Sequence, residues 1–379
     1  MRLTLVIHSL QGGGAERMMT LMANYWAAAG WSITLLTMDK GSAPLFYALD
    51  NRVHSIPLDV ASRSKNAAIA LQNNLKRINA LRHAISATRP DVVLSFMDKT
   101  NVLTLLATRG LNIPVVVSER SDPAMNHPGR VWANLRRLTY RMADAVAVQS
   151  KGAMNYFPAK IQARARIIPN PVSKPSACGS RAVFENGGMS IVAMGRLVRA
   201  KGFDLLLEAF AQVKDSHSSW NLIILGEGPL RKELESLRDS LELTDRVLMP
   251  GRVNNTYERL AGADIFVTSS RYEGFPNSLC EAMASGVAVI ATDCPSGPRE
   301  IIRDNVDGLL VANADPKALA SAMNRLMSND TERKRLALRA SEVTKRFAVE
   351  RIMPMWEEVF VQAIKGTEQN ENHISYSLS

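Results

Sequence analysis

Cysteine is almost missing from this 379-residue chain: Cys178, Cys280 and Cys294 are its whole complement, an odd number without a Cys-x-x-Cys pair. That excludes a disulfide framework and gives no support to a cysteine-rich zinc site. No apolar run approaches the roughly 18 to 20 residues of a membrane span. The opening MRLTLVIHSLQGGG holds a short apolar stretch without the small-residue cleavage pattern of a secretory leader, so a cytoplasmic protein is expected. Disorder and collagen are excluded by a composition that is 46% hydrophobic and 22% charged, ordinary for globular domains with sizeable cores. Acidic residues are scarce in the first half alone. Residues 1–170 carry 21 Lys and Arg against 9 Asp and Glu, a surplus of +12, whereas residues 171–379 carry 25 against 27. The net charge of +10 therefore sits in the first half and points to an anionic partner there: nucleic acid, an anionic membrane surface or a phosphorylated substrate. A merely soluble basic domain would show the same surplus.

What is present is a repeated alternation of short apolar runs with segments of helical period, the pattern of a parallel sheet covered on both faces. Strands are predicted at 3–7, 33–37, 92–96, 115–118 and 145–148, then at 191–194, 222–225, 265–268, 287–291 and 309–311. Each half thus reads as a doubly wound α/β unit: a first domain over 1–172, a linker of Pro, Ser and Gly composition over 173–188, and a second domain over 189–345. A kinked helix over 346–365, interrupted at Pro354, and a disordered tail over 366–379 are expected to follow. One predicted helix carries an apolar stripe of Leu71, Leu75, Ile78, Leu81 and Ile85, with Lys76 and Arg77 on its other surfaces. A second basic helix places Arg130, Arg137 and Arg141 on one face.

Three constellations suit anions or polyols. Gln11-Gly12-Gly13-Gly14-Ala15-Glu16-Arg17 follows the first strand and opens a helix, where glycines and unpaired amides admit a phosphate. Asp39 closes the second strand, where the ribose-binding acid of a dinucleotide site would sit, but Arg17 occupies the place of that fingerprint's third glycine. In the second half, Arg196 and Lys201 flank Gly195 and Gly202 at the end of a strand; Arg196 can fork two phosphate oxygens and Lys201 supplies a mobile charge. Farther on, Glu273 and Glu281 bracket Gly274-Phe275-Pro276-Asn277-Ser278, and paired carboxylates suit hydroxyl recognition. Metal ligation lacks a clustered third acid or histidine.

Together Gly-Gly-Gly-Ala-Glu-Arg (12–17), Ile-Pro-Asn-Pro-Val (168–172), Gly-Arg-Leu with Lys-Gly-Phe (195–203), Leu-Gly-Glu-Gly-Pro-Leu-Arg (225–231) and the E-x7-E element EGFPNSLCE (273–281) resemble the retaining glycosyltransferases of family 4. The resemblance implies a GT-B fold, two Rossmann-like domains facing a central cleft, with the C-terminal helix crossing back to the first. It also implies metal-independent transfer from a nucleotide-diphosphate sugar, with no cofactor. Glu281 would hold the ribose, Arg196 and Lys201 the diphosphate and its developing charge, and Glu273 a hydroxyl of the transferred sugar. Gly226, Gly228, Arg252 and Val253 would flank the base, Gly274, Phe275, Pro276 and Asn277 would line the donor, and Gly13 and Gly14 would offer amides near the diphosphate. Many relatives carry a histidine after the fourth strand of the first half. Here that place reads Ser118-Glu119-Arg120-Ser121-Asp122-Pro123, so Glu119 or Asp122 is expected to orient the acceptor or serve as its base. His127 and His8 lie nearby, either of them equally well an exposed or satisfied histidine.

This variant resembles members that transfer hexoses or N-acetylhexosamines to polyprenyl-diphosphate-linked saccharides in polysaccharide or lipopolysaccharide assembly. The expected partners are accordingly a UDP-sugar, such an acceptor, and an anionic membrane surface met by Lys76, Arg77, Arg130, Arg137 and Arg141 on a peripheral, inner-face protein. Two other readings stand beside it: an NAD-dependent oxidoreductase built on Gly12–Gly14, and a basic nucleic-acid-binding module, for which no RRM, KH or zinc pattern is present.

Overall fold

A computed structural model describes residues 1–62, 64–126, 128–175, 188–253 and 256–377, with side chains to 369. Cys178, His127 and most of the expected linker lie outside the described residues. The chain divides into two compact units, one made of Met1–Pro169 and Ile352–Ser379, the other of Asn170–Arg351.

The first unit holds seven strands: β1 (Arg2–Ile7), β2 (Ser32–Thr37), β3 (His54–Pro57), β4 (Val92–Phe96), β5 (Val115–Ser118), β6 (Ala145–Val148) and β7 (Ala165–Ile167). They pair in parallel in the order β3-β2-β1-β4-β5-β6-β7. The second holds β8 (Met189–Met194), β9 (Trp220–Leu225), β10 (Val247–Gly251), β11 (Ile265–Thr268), β12 (Ala288–Thr292) and β13 (Leu309–Val311), ordered β10-β9-β8-β11-β12-β13 and again parallel. Both sheets reverse direction beside their first strand, at β1/β4 and at β8/β11. Such switch points are where the loops at the carboxyl ends of the strands part and a ligand is received.

Three strands escaped the sequence pattern: β3, β7 and β10. All are edge strands with partial exposure; β3 and β7 carry no continuous apolar run, and that of β10, Val247-Leu248-Met249, is cut short by Pro250 and Gly251, which read as a turn. The central strands carry unbroken ones. In the second unit Ile191, Leu222, Ile224, Ile265, Val267 and Ile290 fall into one buried cluster, and Val192, Ile223, Leu225, Phe266 and Val289 into another. Alternate residues of each strand thus face opposite covered layers, which is why the runs read as unbroken. At the amino ends an aspartate immediately before a strand repeatedly accepts the first or second amide of its neighbour: Asp91 from Arg2 at 2.7 Å, Asp144 from Val115 at 2.8 Å and Asp264 from Ser190 at 2.8 Å.

Helix boundaries follow local chemistry. Asn66 caps Ala67–Thr88 by accepting from the Ile69 amide at 2.9 Å. That helix ends at Arg89 in the left-handed region ahead of Pro90. Its apolar stripe is shorter than predicted: Leu81 and Ile85 are buried, but Leu71 and Leu75 are exposed, because its first two turns extend past the sheet-facing core.

The final helix spans Val349–Ser377, with Pro354 inside it. This corrects the expected end at residue 365 and the disordered tail after it; the segment lacks core residues, yet its polar residues continue the helix without them. From Ile352 onward the helix belongs to the first unit, as the crossing-back expectation had it. Phe360 lies fully buried against Trp26 (ring centroids 5.2 Å apart), Trp31 (6.4 Å) and Trp356 (6.2 Å), and Trp26 stacks on Trp31 at 5.5 Å. The indole of Trp26 donates to Glu357 at 3.2 Å. Phe360→Ala is expected to destabilise the first unit by about 3–5 kcal/mol, the usual cost of emptying a buried aromatic site. Denaturant unfolding followed by tryptophan fluorescence checks it, and a loss under 1 kcal/mol would mean the helix is not part of that core.

Candidate active site

The site in the second unit is built where three loops leave β8, β9 and β10 and are zipped to one another by main-chain bonds. Gly195 N–H donates to Leu225 O at 3.0 Å, Leu197 N–H to Glu227 O at 2.9 Å, Leu230 N–H to Leu197 O at 3.1 Å and Gly226 N–H to Gly251 O at 2.8 Å. Gly226, with φ +150°, is required by this closeness: a Cβ there would strike the Gly195 carbonyl oxygen. The zipper brings Arg196, Gly226, Gly228, Arg252 and Val253 to one edge, Arg252 exposed and Val253 resting on the apolar layer beneath.

Across the switch point, the loop after β11 is clamped to the loop after β8. Ser269 Oγ donates to Lys201 O at 3.0 Å and the Arg271 amide to Ala200 O at 2.8 Å. Arg271 also makes a two-pronged pair with Asp204, at 2.7 and 2.6 Å. Gly202, with φ +61°, permits this approach, since a side chain would meet the Ser269 carbonyl. Lys201 and Glu273 then join: Nζ donates to Oε1 at 2.5 Å, and Ser270 Oγ donates to the same oxygen at 2.6 Å. Among the described residues no donor reaches Glu273 Oε2. The Glu273 carbonyl is held by Ser296 Oγ at 2.8 Å, and Ser270 O by Thr292 Oγ1 at 2.5 Å.

Glu281 lies in the second turn of the helix Asn277–Ala284 and is buried, with Thr256 Oγ1 donating to its Oε2 at 3.0 Å. Phe275 and Pro276 are buried, Phe275 edge-on to Phe347 at 5.6 Å; they set the backbone around Gly274 rather than offering side chains to solvent. Asn277 Oδ1 accepts from Asn170 at 2.6 Å. Arg196 is exposed, and among the described residues nothing pairs with its guanidinium. The site therefore presents an unneutralised cation at Arg196, a cation tethered to a carboxylate at Lys201, and two carboxylates with restricted motion. Burial pushes the Cys294 thiol up to about 12 and raises the Cys280 thiol further still, so neither is a nucleophile near neutral pH. Among the described residues no group of three or more His, Cys, Asp or Glu is arranged to hold a metal ion, and no helix is long and apolar enough to cross a membrane.

Comparison with known proteins agrees with this geometry. Two family models match, "Glycosyl transferase 4-like domain" over residues 13–171 and "Glycosyl transferases group 1" over 182–343. The chain is 30% identical over 357 residues, 94% of its own length and 97% of the other's, to GalNAc-alpha-(1->4)-GalNAc-alpha-(1->3)-diNAcBac-PP-undecaprenol alpha-1,4-N-acetyl-D-galactosaminyltransferase of Campylobacter jejuni. The chain belongs to the family 4 glycosyltransferases. Among solved structures it resembles sucrose-phosphate synthase of Thermosynechococcus elongatus (TM-score 0.82, 19% identity, 96% of this chain and 99% of that one). It also resembles Anabaena HepE in complex with UDP (TM-score 0.76, 18% identity, 95% and 100%). These likenesses give the glycosyltransferase a GT-B α/β fold.

In the first unit of this glycosyltransferase, Gly13 and Gly14 open the helix Gly14–Ala28, with the Glu16 carboxylate lying against Gly13. His8 and Lys76 are exposed, as are Arg130, Arg137 and Arg141. Arg77 is not part of an open basic face: it donates to Val60 O at 3.1 Å, Ser62 O at 2.6 Å and Asn74 at 2.7 Å, bracing the segment ahead of its helix. Glu119 also departs from expectation. It is 1% exposed, with Tyr140 OH donating to Oε1 at 2.7 Å, Arg136 at 3.5 Å from the same oxygen, and Asn101 donating to Tyr140 at 2.9 Å. Enclosed in this way it is a core anchor and meets no acceptor. Asp122 is buried too and caps its own turn, accepting from the Ala124 amide at 2.9 Å. The half-exposed carboxylate at the carboxyl end of β4 is Asp98, with Asn126 donating to it at 3.3 Å. Its only signal in the sequence was its place just past a predicted strand.

Burial raises the Glu119 carboxyl from 4.5 to about 7, against the opposing pull of Arg136 and the Tyr140 hydrogen bond. Because the folded state holds this proton more tightly than the unfolded chain, the contribution is fully favourable below pH 4.5 and is lost as pH rises to about 7. Glu119→Gln should therefore gain stability relative to the native chain between pH 4.5 and 7, by up to roughly 3 kcal/mol, and the difference should be flat above that. Denaturation midpoints across this pH range check it; a difference that does not vary with pH would place a charged, fully paired Glu119 in the core.

Proposed function

We propose that this glycosyltransferase retains anomeric configuration and moves a hexose or N-acetylhexosamine from a UDP-sugar to a saccharide carried on a polyprenyl diphosphate, in surface polysaccharide or glycan assembly. The observation that carries the donor reading is the cluster at the β8/β11 switch point: exposed Arg196, Lys201 tethered to Glu273, and buried Glu281 on the next helix. Arg196 is ready to fork the diphosphate. Lys201 is kept nearby by Glu273 and exchanges one carboxylate oxygen for a phosphate oxygen by rotating its stem. Oε2 of Glu273 accepts a hydroxyl of the transferred sugar, and Glu281 takes the ribose diol. Support for UDP comes from the HepE structure, which holds it, and support for a lipid-linked acceptor from the name of the Campylobacter jejuni relative.

As the bond to the anomeric carbon breaks, negative charge grows on the β-phosphate. Arg196, Lys201 and nearby main-chain amides are carried on a fixed backbone close by, so stabilising that charge takes side-chain rotation only and the residues' own positive charge supplies it. The anomeric carbon becomes oxocarbenium-like, the acceptor hydroxyl attacks on the face the phosphate leaves, and the departing phosphate takes the hydroxyl proton. Arg196→Ala should lower turnover by about 2.7–4 kcal/mol, the range for removing one preorganised donor. The assay is a panel of UDP-sugars with a lipid-diphosphate saccharide acceptor. Unchanged turnover in the variant, or turnover only with other nucleotide sugars, overturns the donor assignment.

The membrane part rests on the helix Arg130–Thr139 and the turn Tyr140–Met142. Arg130, Arg137 and Arg141 form one exposed stripe, and the exposed Val131, Leu138 and Met142 form a second beside it. Cations next to bare apolar side chains suit an anionic lipid surface with acyl chains beneath. At about 1 kcal/mol per arginine near such a surface, replacing all three with serine should weaken binding to anionic liposomes roughly a hundredfold, with UDP affinity unchanged. Cosedimentation with phosphatidylglycerol vesicles measures it; equal binding by the variant removes the membrane face.

A further inference from the structure

On the other side of β1 from its switch point, the carboxyl ends of β1, β2 and β3 enclose a cavity of ≈ 240 Å³, lined among others by Leu10, Gln11, Asp39, Pro44, Leu45 and Ser55. It lies wholly within the first unit, and of its lining residues Gln11 and Asp39 are the two that the sequence had singled out, next to the glycine loop and at the end of the second strand. Its wall is built rather than loose. Asn24 brackets the 41–50 loop, donating to Ala48 O at 2.9 Å and accepting from the Asp50 amide at 2.8 Å. Gly41, at φ +63°, lets the loop fold directly against Pro57. Thr37 Oγ1 donates to Asp39 Oδ1 at 2.7 Å and fixes the carboxylate.

The lining is selective. Asp39 is the one charged residue among the described residues around the cavity, so a phosphate would meet repulsion and no cation. A carboxylate accepts hydroxyl protons and a primary amide both donates and accepts, while Leu10, Pro44 and Leu45 offer apolar surface. That combination matches a pyranose ring, with hydroxyls at its edge and C–H groups on its face. The volume corresponds to roughly eight waters at about 30 Å³ each, enough for one ring and below the range of whole-nucleotide pockets. We propose that this cavity is a subsite for one neutral sugar ring of the acceptor saccharide, Asp39 and Gln11 taking its hydroxyls and Pro44 and Leu45 its C–H face. The proposal rests on the acceptor reading above and extends it. The cavity is about two strand spacings, roughly 10 Å, from the β1/β4 switch point, so the ring it holds is an inner sugar of the acceptor, and the site selects for acceptor length.

The test titrates the intact protein with neutral N-acetylhexosamine-containing di- and trisaccharides, with adenosine, and separately with UDP. Asp39→Ala should weaken saccharide binding about tenfold or more, as for loss of hydrogen bonds to a charged group. Ser55→Phe, on an exposed edge strand, should do the same by filling the cavity while leaving the Thr37–Asp39 bond intact. UDP affinity should not change in either variant. Saccharide binding that survives both substitutions, an absence of saccharide binding to the native chain, or adenosine as the ligand lost in the variants would each overturn the subsite. Failure of UDP to bind the native chain would instead overturn the donor reading and leave the saccharide result standing.

Discussion

The proposed donor site depends on a constraint of parallel sheets: every strand must be left at the same edge, and where the winding reverses the departing loops separate. At β8 and β11 that separation is spanned by the Lys201–Glu273 pair, backed by Arg271 with Asp204 and by Ser269 on the Lys201 carbonyl. The pair is not a major source of stability, since the desolvation of a largely buried ion pair offsets most of its attraction. Its value is positional. It holds a cation and a carboxylate beside each other, where in the proposed reaction a diphosphate and a sugar hydroxyl would make competing claims on them.

The backbone around this pair is correspondingly tight. Gly226 and Gly202 let carbonyls of adjoining loops come closer than any side chain would allow, and the zipper from Gly195 to Leu230 fixes the backbone of the turn from which Arg196 reaches solvent. Preorganisation of this kind is what electrostatic stabilisation of a leaving group needs, because donors already fixed in place do not have to be reoriented as charge develops.

Charge is divided between the units by the same logic. The second unit is nearly neutral and concentrates a few cations at its switch point. The first carries the basic surplus on helix faces such as that of Arg130, Arg137 and Arg141, but not uniformly: Arg136 and Arg77 are consumed by internal contacts. A count of basic residues therefore overstates the open basic surface, and only burial separates the arginines that brace loops from those that face outward.

The parallel, doubly wound character of both halves, the glycines and charged residues gathered at the β8/β11 switch point and the return of the last helix were legible in the sequence. Buried central strands must be apolar on both faces, and a glycine forced by a close carbonyl must be glycine. The edge strands β3 and β7 were not legible, since half-exposed backbone pairing leaves no run of apolar residues, and β10 was hidden by the Pro250-Gly251 turn signal that ends its short run. Nor was the fate of Glu119, which as a charged residue on a loop after a strand had the form of a catalytic acid; Tyr140, Asn101 and Arg136, from distant positions, enclose it. The same holds for Thr292 and Ser296, at and beyond the end of β12, which hold the Ser270 and Glu273 carbonyls of the loop after β11. Local sequence determined which residue types stand at the ends of the strands. Which of them meet a ligand and which are spent on one another was decided by tertiary packing, because burial and hydrogen-bond partnership arise only between segments far apart in the chain.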